Sequence, residues 1–179
     1  MRRILVIIVT YNAMKWADRC FGSLRDSRQP VDVFVVDNGS ADGTAEHIRN
    51  HYPEVMLHCA GENYGFGKAN NIGLEYALAY GYDYVYLMNQ DAWVFPDTLD
   101  NLVEALSTHQ EYGILSPVQM TASMERPDPR FKVKCLDKEL SAYESGRIYD
   151  VDFVMAAHWL VSRRCLLSTG GFSPAFRHY

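Results

Sequence analysis

Residues 4–12 read Ile-Leu-Val-Ile-Ile-Val-Thr-Tyr-Asn, a run of aliphatic residues that ends in three residues able to hydrogen-bond. A short, continuous aliphatic run is typical of a strand that is buried on both faces of a parallel sheet. Signal peptides also begin with a basic pair such as Arg2-Arg3, but here the apolar run is too short and no small-residue cleavage pattern follows. We therefore interpret residues 4–9 as the first strand of an α/β domain.

Further apolar runs alternate with helical patterns along the chain. Strands are predicted at residues 31–36, 55–59, 82–88 and 113–120, with helices between them, the clearest at 66–80 and 96–109. This alternation favours a Rossmann-like, mostly parallel sheet flanked by helices. Residues 121–147 break the rhythm as an irregular excursion, and residues 150–161 predict a return to a strand. We expect residues 1–179 to form a single α/β domain.

Composition and charge argue against several partners. The formal net charge is -5 with no basic stripe, which is unfavourable for a nucleic-acid partner bound through its phosphates. No apolar stretch approaches the roughly 20 residues that a membrane-spanning helix requires, so we expect no transmembrane segment. The cysteines are too widely spaced for a typical zinc site or disulfide framework. We predict reduced, mostly buried thiols at Cys20, Cys59, Cys135 and Cys165.

Polar clusters follow three of the predicted strands. They are Thr10-Tyr11-Asn12, Asp37-Asn38-Gly39-Ser40 and Asn89-Gln90-Asp91. In an open parallel sheet, ligands collect beyond the carboxyl ends of the strands. Each cluster alone is also what an ordinary turn requires, but the three together indicate a binding site.

The chemistry of these clusters suits a nucleotide. Asp37 can accept a hydrogen bond from a pyrimidine ring N–H or a ribose hydroxyl, or it can bond its own backbone in a turn. Thr10 and Asn12 can add polar contacts, and Tyr11 can stack on a base. Asp91 is a hard oxygen ligand suited to Mg²⁺ or Mn²⁺, which often take one or two carboxylates plus diphosphate oxygens and waters. The alternative for Asp91 is a capping or turn residue.

Two further segments carry weaker signals. Residues 62–71 are glycine-rich and open a predicted helix, but the third glycine of a dinucleotide fingerprint is missing. The amides that open this helix, with Lys68 nearby, can attract phosphate, although Lys68 is equally well explained as a solvated surface residue. His158 and Trp159 lie in an apolar stretch, which favours packed core positions over ligand roles.

Five blocks occur in a fixed order along the chain: residues 7–12, 35–44, 63–71, 89–91 and 153–176. Taken together they resemble the successive motifs of family 2 glycosyltransferases, with Asn89-Gln90-Asp91 standing as the DXD motif in its NxD form. Asn89 replaces the usual first aspartate of that motif. The NxD form is most similar to rhamnosyltransferase-type members.

This resemblance implies a GT-A fold and a donor that is a nucleoside-diphosphate sugar, carrying UDP or dTDP. It also implies Mg²⁺ or Mn²⁺ on the diphosphate, bound by Asp91, and a saccharide or lipid-linked acceptor in cell-surface polysaccharide synthesis. We expect a cytoplasmic protein, free or at the inner face of the membrane. The residues expected to contact the donor are Thr10, Tyr11, Asn12, Asp37, Asn38, Lys68, Asn70, Asn71 and Asn89.

The resemblance further implies an inverting reaction with a carboxylate base, which in this family follows shortly after a stretch like residues 172–179. No Asp or Glu occurs after Asp152, so we expect the base beyond Tyr179 and the chain to be the donor-binding part of a longer domain. The alternative is that Asp152 or His178 is the base. Two other functions stay open: a non-catalytic nucleotide-sugar-binding module and a sugar nucleotidyltransferase.

Overall fold

The computed structural model describes residues 2–135, 146–173 and 175. Within these residues one six-stranded sheet has the order β3-β2-β1-β4-β6-β5. The first four strands across the sheet are parallel, and β6 runs antiparallel to both β4 and β5. The predicted mostly parallel α/β fold is confirmed. The strands are β1 (Ile4–Thr10), β2 (Asp32–Asp37), β3 (Met56–Cys59), β4 (Tyr84–Asn89), β5 (Ile114–Leu115) and β6 (His158–Ser162).

Helices cover both faces of this sheet. One face is packed by α1, α2 and α4, and the other by α3 and α6. A short helix, α5, lies in the excursion between β5 and β6. The helices are α1 (Ala17–Arg25), α2 (Thr44–His51), α3 (Phe66–Ala79), α4 (Thr98–Thr108), α5 (Pro129–Cys135) and α6 (Arg163–Thr169).

The aliphatic run of β1 forms the centre of the core because its side chains alternate between the two faces. Ile4, Val6 and Ile8 pack under α1 and α4, while Leu5 and Ile7 pack under α3. A strand with helices on both sides needs apolar side chains at every position, which accounts for the unbroken run.

A close approach between α3 and β1 depends on a glycine. A Cβ atom at Gly73 would lie 2.7 Å from Cγ2 of Ile7, which is well inside van der Waals contact. The absence of a side chain therefore sets the depth at which α3 packs on the central strand.

Two predicted strands are wrong in their extent. The strand predicted at residues 113–120 is reduced to Ile114–Leu115, because β5 is an edge strand that pairs with β6 alone and Pro117 has no N–H to donate. The strand predicted at residues 150–161 begins only at His158. The excursion also contains α5, which the irregular sequence pattern does not predict.

The prediction about the cysteines holds in part. All four are free, but only Cys20 and Cys135 are buried, while Cys59 is exposed. The alternative base His178 lies outside the described residues, as does the end of the block at residues 153–176.

Candidate functional site

The sheet has its topological switch point between β1 and β4. From β1 the chain moves outward through β2 to β3 and then returns to the other side of β1 as β4. A crevice opens at the carboxyl ends of two such strands, and ligands of open α/β sheets bind there. Thr10 ends β1 and Asn89 ends β4, so two of the three polar clusters flank this crevice.

A reciprocal pair of hydrogen bonds joins the two clusters across the crevice. The Tyr11 backbone N–H donates to Oε1 of Gln90 at 2.7 Å, and Nε2 of Gln90 donates to the Tyr11 carbonyl at 3.2 Å. The Tyr11 side chain is 48% exposed, so its ring is free to meet a planar ligand.

Asp37 is buried at the end of β2 and is held by three donors. Its Oδ1 accepts from the hydroxyls of Thr10 at 2.9 Å and Ser40 at 2.6 Å, and its Oδ2 accepts from the Ser40 backbone N–H at 3.1 Å. A carboxylate has about four lone-pair directions, and these donors occupy three of them. Its contact with a nucleoside stays a prediction.

Asn12 links the ends of β1 and β2. Its backbone N–H donates to Oγ of Ser40, and its Oδ1 accepts from the Ala41 N–H, both at 2.9 Å. Its φ of 52° lies in the left-handed region, which asparagine tolerates better than most residues. The clusters after β1 and β2 therefore form one continuous polar surface.

Asn38 organises the glycine-rich loop before α3. Its Nδ2 donates to Oδ1 of Asn63 at 3.0 Å, and its Oδ1 accepts from the Tyr64 N–H at 2.9 Å. Lys68, in the first turn of α3, is exposed and its Nζ lies 4.0 Å from the Tyr64 ring centroid. Asn38 thus supports the loop, while Lys68 is accessible to a phosphate.

Asn70 and Asn71, on α3, are hydrogen-bonded to the protein backbone. Asn70 is buried and donates to the Phe66 carbonyl within α3 at 2.9 Å. Asn71 pairs with the backbone of Phe172, donating to its carbonyl at 2.9 Å and accepting from its N–H at 2.8 Å. Their predicted contact with the donor stays a prediction, and the described contacts are within the protein.

Asp91 is exposed just past β4, at a cavity of about 430 Å³. The cavity lies between the end of β4, the loop after β5 and the start of β6. Its polar lining includes Asn89, Asp91, Gln119, Asp128, Arg130 and His158, and its apolar lining includes Trp93, Met120 and Met155.

One wall of this cavity is tied to α1. The guanidinium of Arg19 stacks 3.5 Å from the Trp93 ring centroid and donates to the Ala122 carbonyl at 3.1 Å. Behind the wall, burial and, to a lesser extent, the charge of Asp91 raise the pKa of the Cys20 thiol to about 12. Cys20 therefore stays protonated and does not compete for a cation.

The residues present fit a cation that takes most of its ligands from the diphosphate and from water rather than from the protein. Among the described residues, no group of three or more His, Cys, Asp or Glu side chains is placed to hold a metal ion. A zinc or calcium cage would need such a group. The exposed carboxylate of Asp91 matches Mg²⁺ or Mn²⁺ completed by diphosphate oxygens and waters. The other carboxylate of the lining, Asp128, accepts from the backbone N–H groups of Arg130 and Phe131.

His158 is predicted from sequence as a packed core residue, and the structure gives it a second property. It is buried at the start of β6, with Nδ1 2.7 Å from the Tyr86 hydroxyl, yet it also lines the cavity that holds Asp91. Burial lowers the pKa of its imidazole to about 4. The sequence carries no local signal for this pair because the two residues meet only through β4–β6 pairing.

In the part of the chain that the structure describes, no helix combines the length and the apolar character that crossing a membrane requires.

A family model described as "Glycosyl transferase family 2" matches residues 5–161. The N-acetylglucosaminyl-diphospho-decaprenol L-rhamnosyltransferase of Mycobacterium tuberculosis is 34% identical over an alignment of 122 residues, and the match covers 63% of this chain and 40% of that protein. The undecaprenyl-phosphate mannosyltransferase of Micrococcus luteus is 36% identical over an alignment of 110 residues, and the match covers 59% of this chain and 45% of that protein. The chain therefore spans less than half the length of either relative.

A solved structure extends the likeness to the fold. The mannosyltransferase PcManGT from Pyrobaculum calidifontis, in complex with GDP-Man and Mn²⁺, superposes with a TM-score of 0.71 at 25% identity. The superposition covers 97% of this chain and 48% of that protein.

Proposed function

The chain belongs to glycosyl transferase family 2 and has the GT-A fold, and we propose that it binds the donor of a metal-dependent, inverting glycosyltransferase. The donor is a nucleoside-diphosphate sugar carrying UDP or dTDP, and the acceptor is a saccharide or a lipid-linked saccharide. The single observation that carries this proposal is the switch-point crevice, where an exposed tyrosine ring, a buried aspartate and the accessible Asp91 line one edge of the sheet. Family membership favours sugar transfer over the nucleotidyltransferase alternative.

In this proposal the nucleoside and the diphosphate of the donor lie on different parts of the crevice. The nucleoside lies on the polar surface formed after β1 and β2, with Tyr11 against the base and the free lone pair of Asp37 accepting from the base or the ribose. The diphosphate extends towards Asp91, with Lys68 available as a further positive charge. These assignments follow from exposure and hydrogen-bond capacity.

Asp91 is the residue that would hold Mg²⁺ or Mn²⁺. When bound, such a cation neutralises the charge that develops on the departing diphosphate. Asn89, at the end of β4, contributes a neutral amide in place of a second carboxylate. The cation would therefore depend on the nucleotide for much of its coordination.

The base is proposed from the family resemblance alone, on the part of a longer protein that follows Tyr179. It would take the proton of the acceptor hydroxyl during direct displacement, a contribution of ~10²–10⁴-fold. Comparing sugar transfer by this chain and by a longer protein that includes the next acidic pair tests this. Robust transfer by the 179-residue chain that is lost in Asp152→Asn would instead identify Asp152 as the base.

Binding can be tested directly by thermal denaturation. A ligand that binds only the folded state raises Tm according to its concentration relative to Kd. We expect UDP or dTDP to raise Tm in the presence of Mn²⁺ and to raise it much less in EDTA, with ADP as the control. Equal shifts with all three nucleotides, or none with any, would contradict a pyrimidine-specific donor site.

A further inference from the structure

Tyr86 and His158 form a buried pair on the neighbouring strands β4 and β6. The Tyr86 side chain is fully buried, and its hydroxyl lies 2.7 Å from Nδ1 of His158. Among the described residues, this imidazole nitrogen is the one hydrogen-bond partner of that hydroxyl. The pair therefore shares one proton, which is carried either by the phenol oxygen or by Nδ1.

Burial decides that arrangement. It raises the pKa of the Tyr86 phenol, which keeps its proton, and lowers the pKa of His158 to about 4, which keeps the ring neutral. The phenol O–H donates to Nδ1 because no other acceptor is available to it among the described residues. A neutral imidazole that accepts at Nδ1 carries its own proton on Nε2.

The Nε2 nitrogen of His158 has no partner among the described residues. In the described part of the chain, Trp159 Nε1 is the one fully enclosed side-chain nitrogen or oxygen without a partner. Because Nε2 of His158 is not among such enclosed atoms, it retains some accessible surface. His158 lines the cavity together with Asn89 and Asp91. A residue that lines the cavity therefore carries an N–H donor whose tautomer is fixed.

We propose that the Nε2–H of His158 donates a hydrogen bond to a hydroxyl of the donor's sugar, and that Tyr86 is the residue that positions it. This inference rests on the proposed function, since it places the sugar in the cavity next to the Asp91-bound diphosphate.

The chemistry of the cavity favours a sugar over other occupants. A neutral N–H suits a hydroxyl, whereas strong phosphate binding normally uses a charged donor such as arginine. A neutral ring also adds no positive charge beside a cation on Asp91. The volume of about 430 Å³ is within the range of small-ligand pockets, and Trp93, Met120 and Met155 supply apolar surface for the C–H groups of a sugar ring.

The test compares nucleotide-sugar with nucleotide. Calorimetry in Mn²⁺ would measure dTDP-rhamnose against dTDP, and UDP-N-acetylglucosamine against UDP, for the unmodified chain and three variants. We expect His158→Phe to weaken the preferred nucleotide-sugar about 5–20-fold and to leave its nucleotide within about twofold. His158→Gln, which keeps an N–H donor at a similar reach, should restore most of the loss. Tyr86→Phe, which frees the imidazole tautomer, should give an intermediate loss.

Three results would overturn the inference. One is an equal weakening of nucleotide and nucleotide-sugar in His158→Phe, or in Tyr86→Phe if His158→Phe does not fold. Another is a His158→Gln variant no better than His158→Phe. The third is an unmodified chain that binds the nucleotides but binds neither nucleotide-sugar more tightly than its nucleotide. Failure of the unmodified chain to bind any of the four compounds would instead contradict the proposed function, and the inference with it.

Discussion

At the scale of single residues, Asp91 carries the metal dependence of the proposed site. It is exposed at the cavity, and among the described residues no group of three or more His, Cys, Asp or Glu side chains is placed to hold a metal ion. Asp91→Asn should therefore abolish the Mn²⁺-dependent part of UDP or dTDP binding while leaving Tm without ligand unchanged. Titration calorimetry with and without Mn²⁺ measures this.

The matched control for Asp91 is Asp97→Asn. Asp97 is also exposed and precedes α4 without a side-chain capping bond, so its loss should leave the metal effect intact. Unchanged Mn²⁺ dependence in Asp91→Asn would remove Asp91 from the metal site.

Asp37 combines a structural role with a proposed ligand role. Asp37→Ala leaves the fully buried Thr10 hydroxyl without its acceptor, which should lower the free energy of unfolding by about 1–3 kcal/mol. It should also weaken UDP and dTDP, because a buried charge-assisted bond contributes roughly 1.5–3 kcal/mol. Urea denaturation measures the first effect and calorimetry the second.

The control for Asp37→Ala is Glu75→Ala, at an exposed position of α3. It should change neither the free energy of unfolding nor the affinity for UDP and dTDP. A destabilised Asp37→Ala variant that binds both nucleotides as tightly as the unmodified chain would leave Asp37 with a structural role alone.

His158 should make stability fall in mild acid. Its pKa is about 4 in the folded chain and about 6.5 when exposed, so the unfolded chain binds more protons between these values. The free energy of unfolding is therefore unaffected by this residue above about pH 6.5 and decreases as pH falls towards about 4. Asp91, Asp128 and Arg130 line the same cavity, but burial is the cause of the shift.

The measurement is urea denaturation at about pH 7 and about pH 4.5. Other groups make both proteins less stable in acid by the same amount. Between the two pH values, the free energy of unfolding should therefore decrease by about 2 kcal/mol more in the unmodified chain than in His158→Gln. Equal losses in the two proteins would show that His158 is not a buried neutral group.

At the scale of elements, Gly73 sets the distance between α3 and β1. Gly73→Ala would place a Cβ 2.7 Å from Ile7, and such overpacking costs about 1–3 kcal/mol. At Gly22 in α1, no atom beyond its chain neighbours and the backbone of its own helix lies within 4 Å of the position that a Cβ would take. Gly22→Ala should therefore stabilise by about 0.5–1 kcal/mol. Urea denaturation of both variants checks the contrast, and a stable Gly73→Ala would contradict it.

The elements that can be predicted well from sequence are those whose pattern is local. The run of residues 4–9 is apolar throughout because β1 is covered on both faces, and β2 and β4 follow the same rule. The extents of β5 and β6 are predicted wrongly because these strands lie at or near the edge of the sheet and are fixed by antiparallel pairing with distant residues. Pro117 is the one local sign that the strand of Ile114 is short, and its pairing with β6 alone is not visible near it in sequence.

The same difference between local patterns and long-range pairing applies to the candidate site. Strand-end positions place Tyr11, Asp37 and Asp91 near one edge of the sheet from sequence alone. The reciprocal Tyr11–Gln90 bonds and the Tyr86–His158 pair join residues that are 79 and 72 positions apart. A side chain's local pattern cannot predict such contacts, because they depend on which strands become neighbours.

At the scale of the whole molecule, the paired bonds between Asn71 and Phe172 join residues that are 101 positions apart. Asn71→Ala removes both bonds and should lower the free energy of unfolding by about 1–3 kcal/mol. Asn50→Ala, at an exposed position of α2, should have no measurable effect. Urea denaturation with fluorescence and circular dichroism would measure both, and equal stability of the two variants would show that the pair contributes little.

The position of β6 between β4 and β5 has a consequence during protein synthesis. A ribosome releases the four parallel strands long before residues 158–162, so a nascent chain can assemble its parallel sheet while one side of β4 still has no neighbour. An unpaired strand edge invites association with other chains, and this one stays open until β6 arrives. The cavity wall that contains His158 is completed at the same moment, so a ribosome-bound chain gains its proposed nucleoside surface before its proposed sugar pocket.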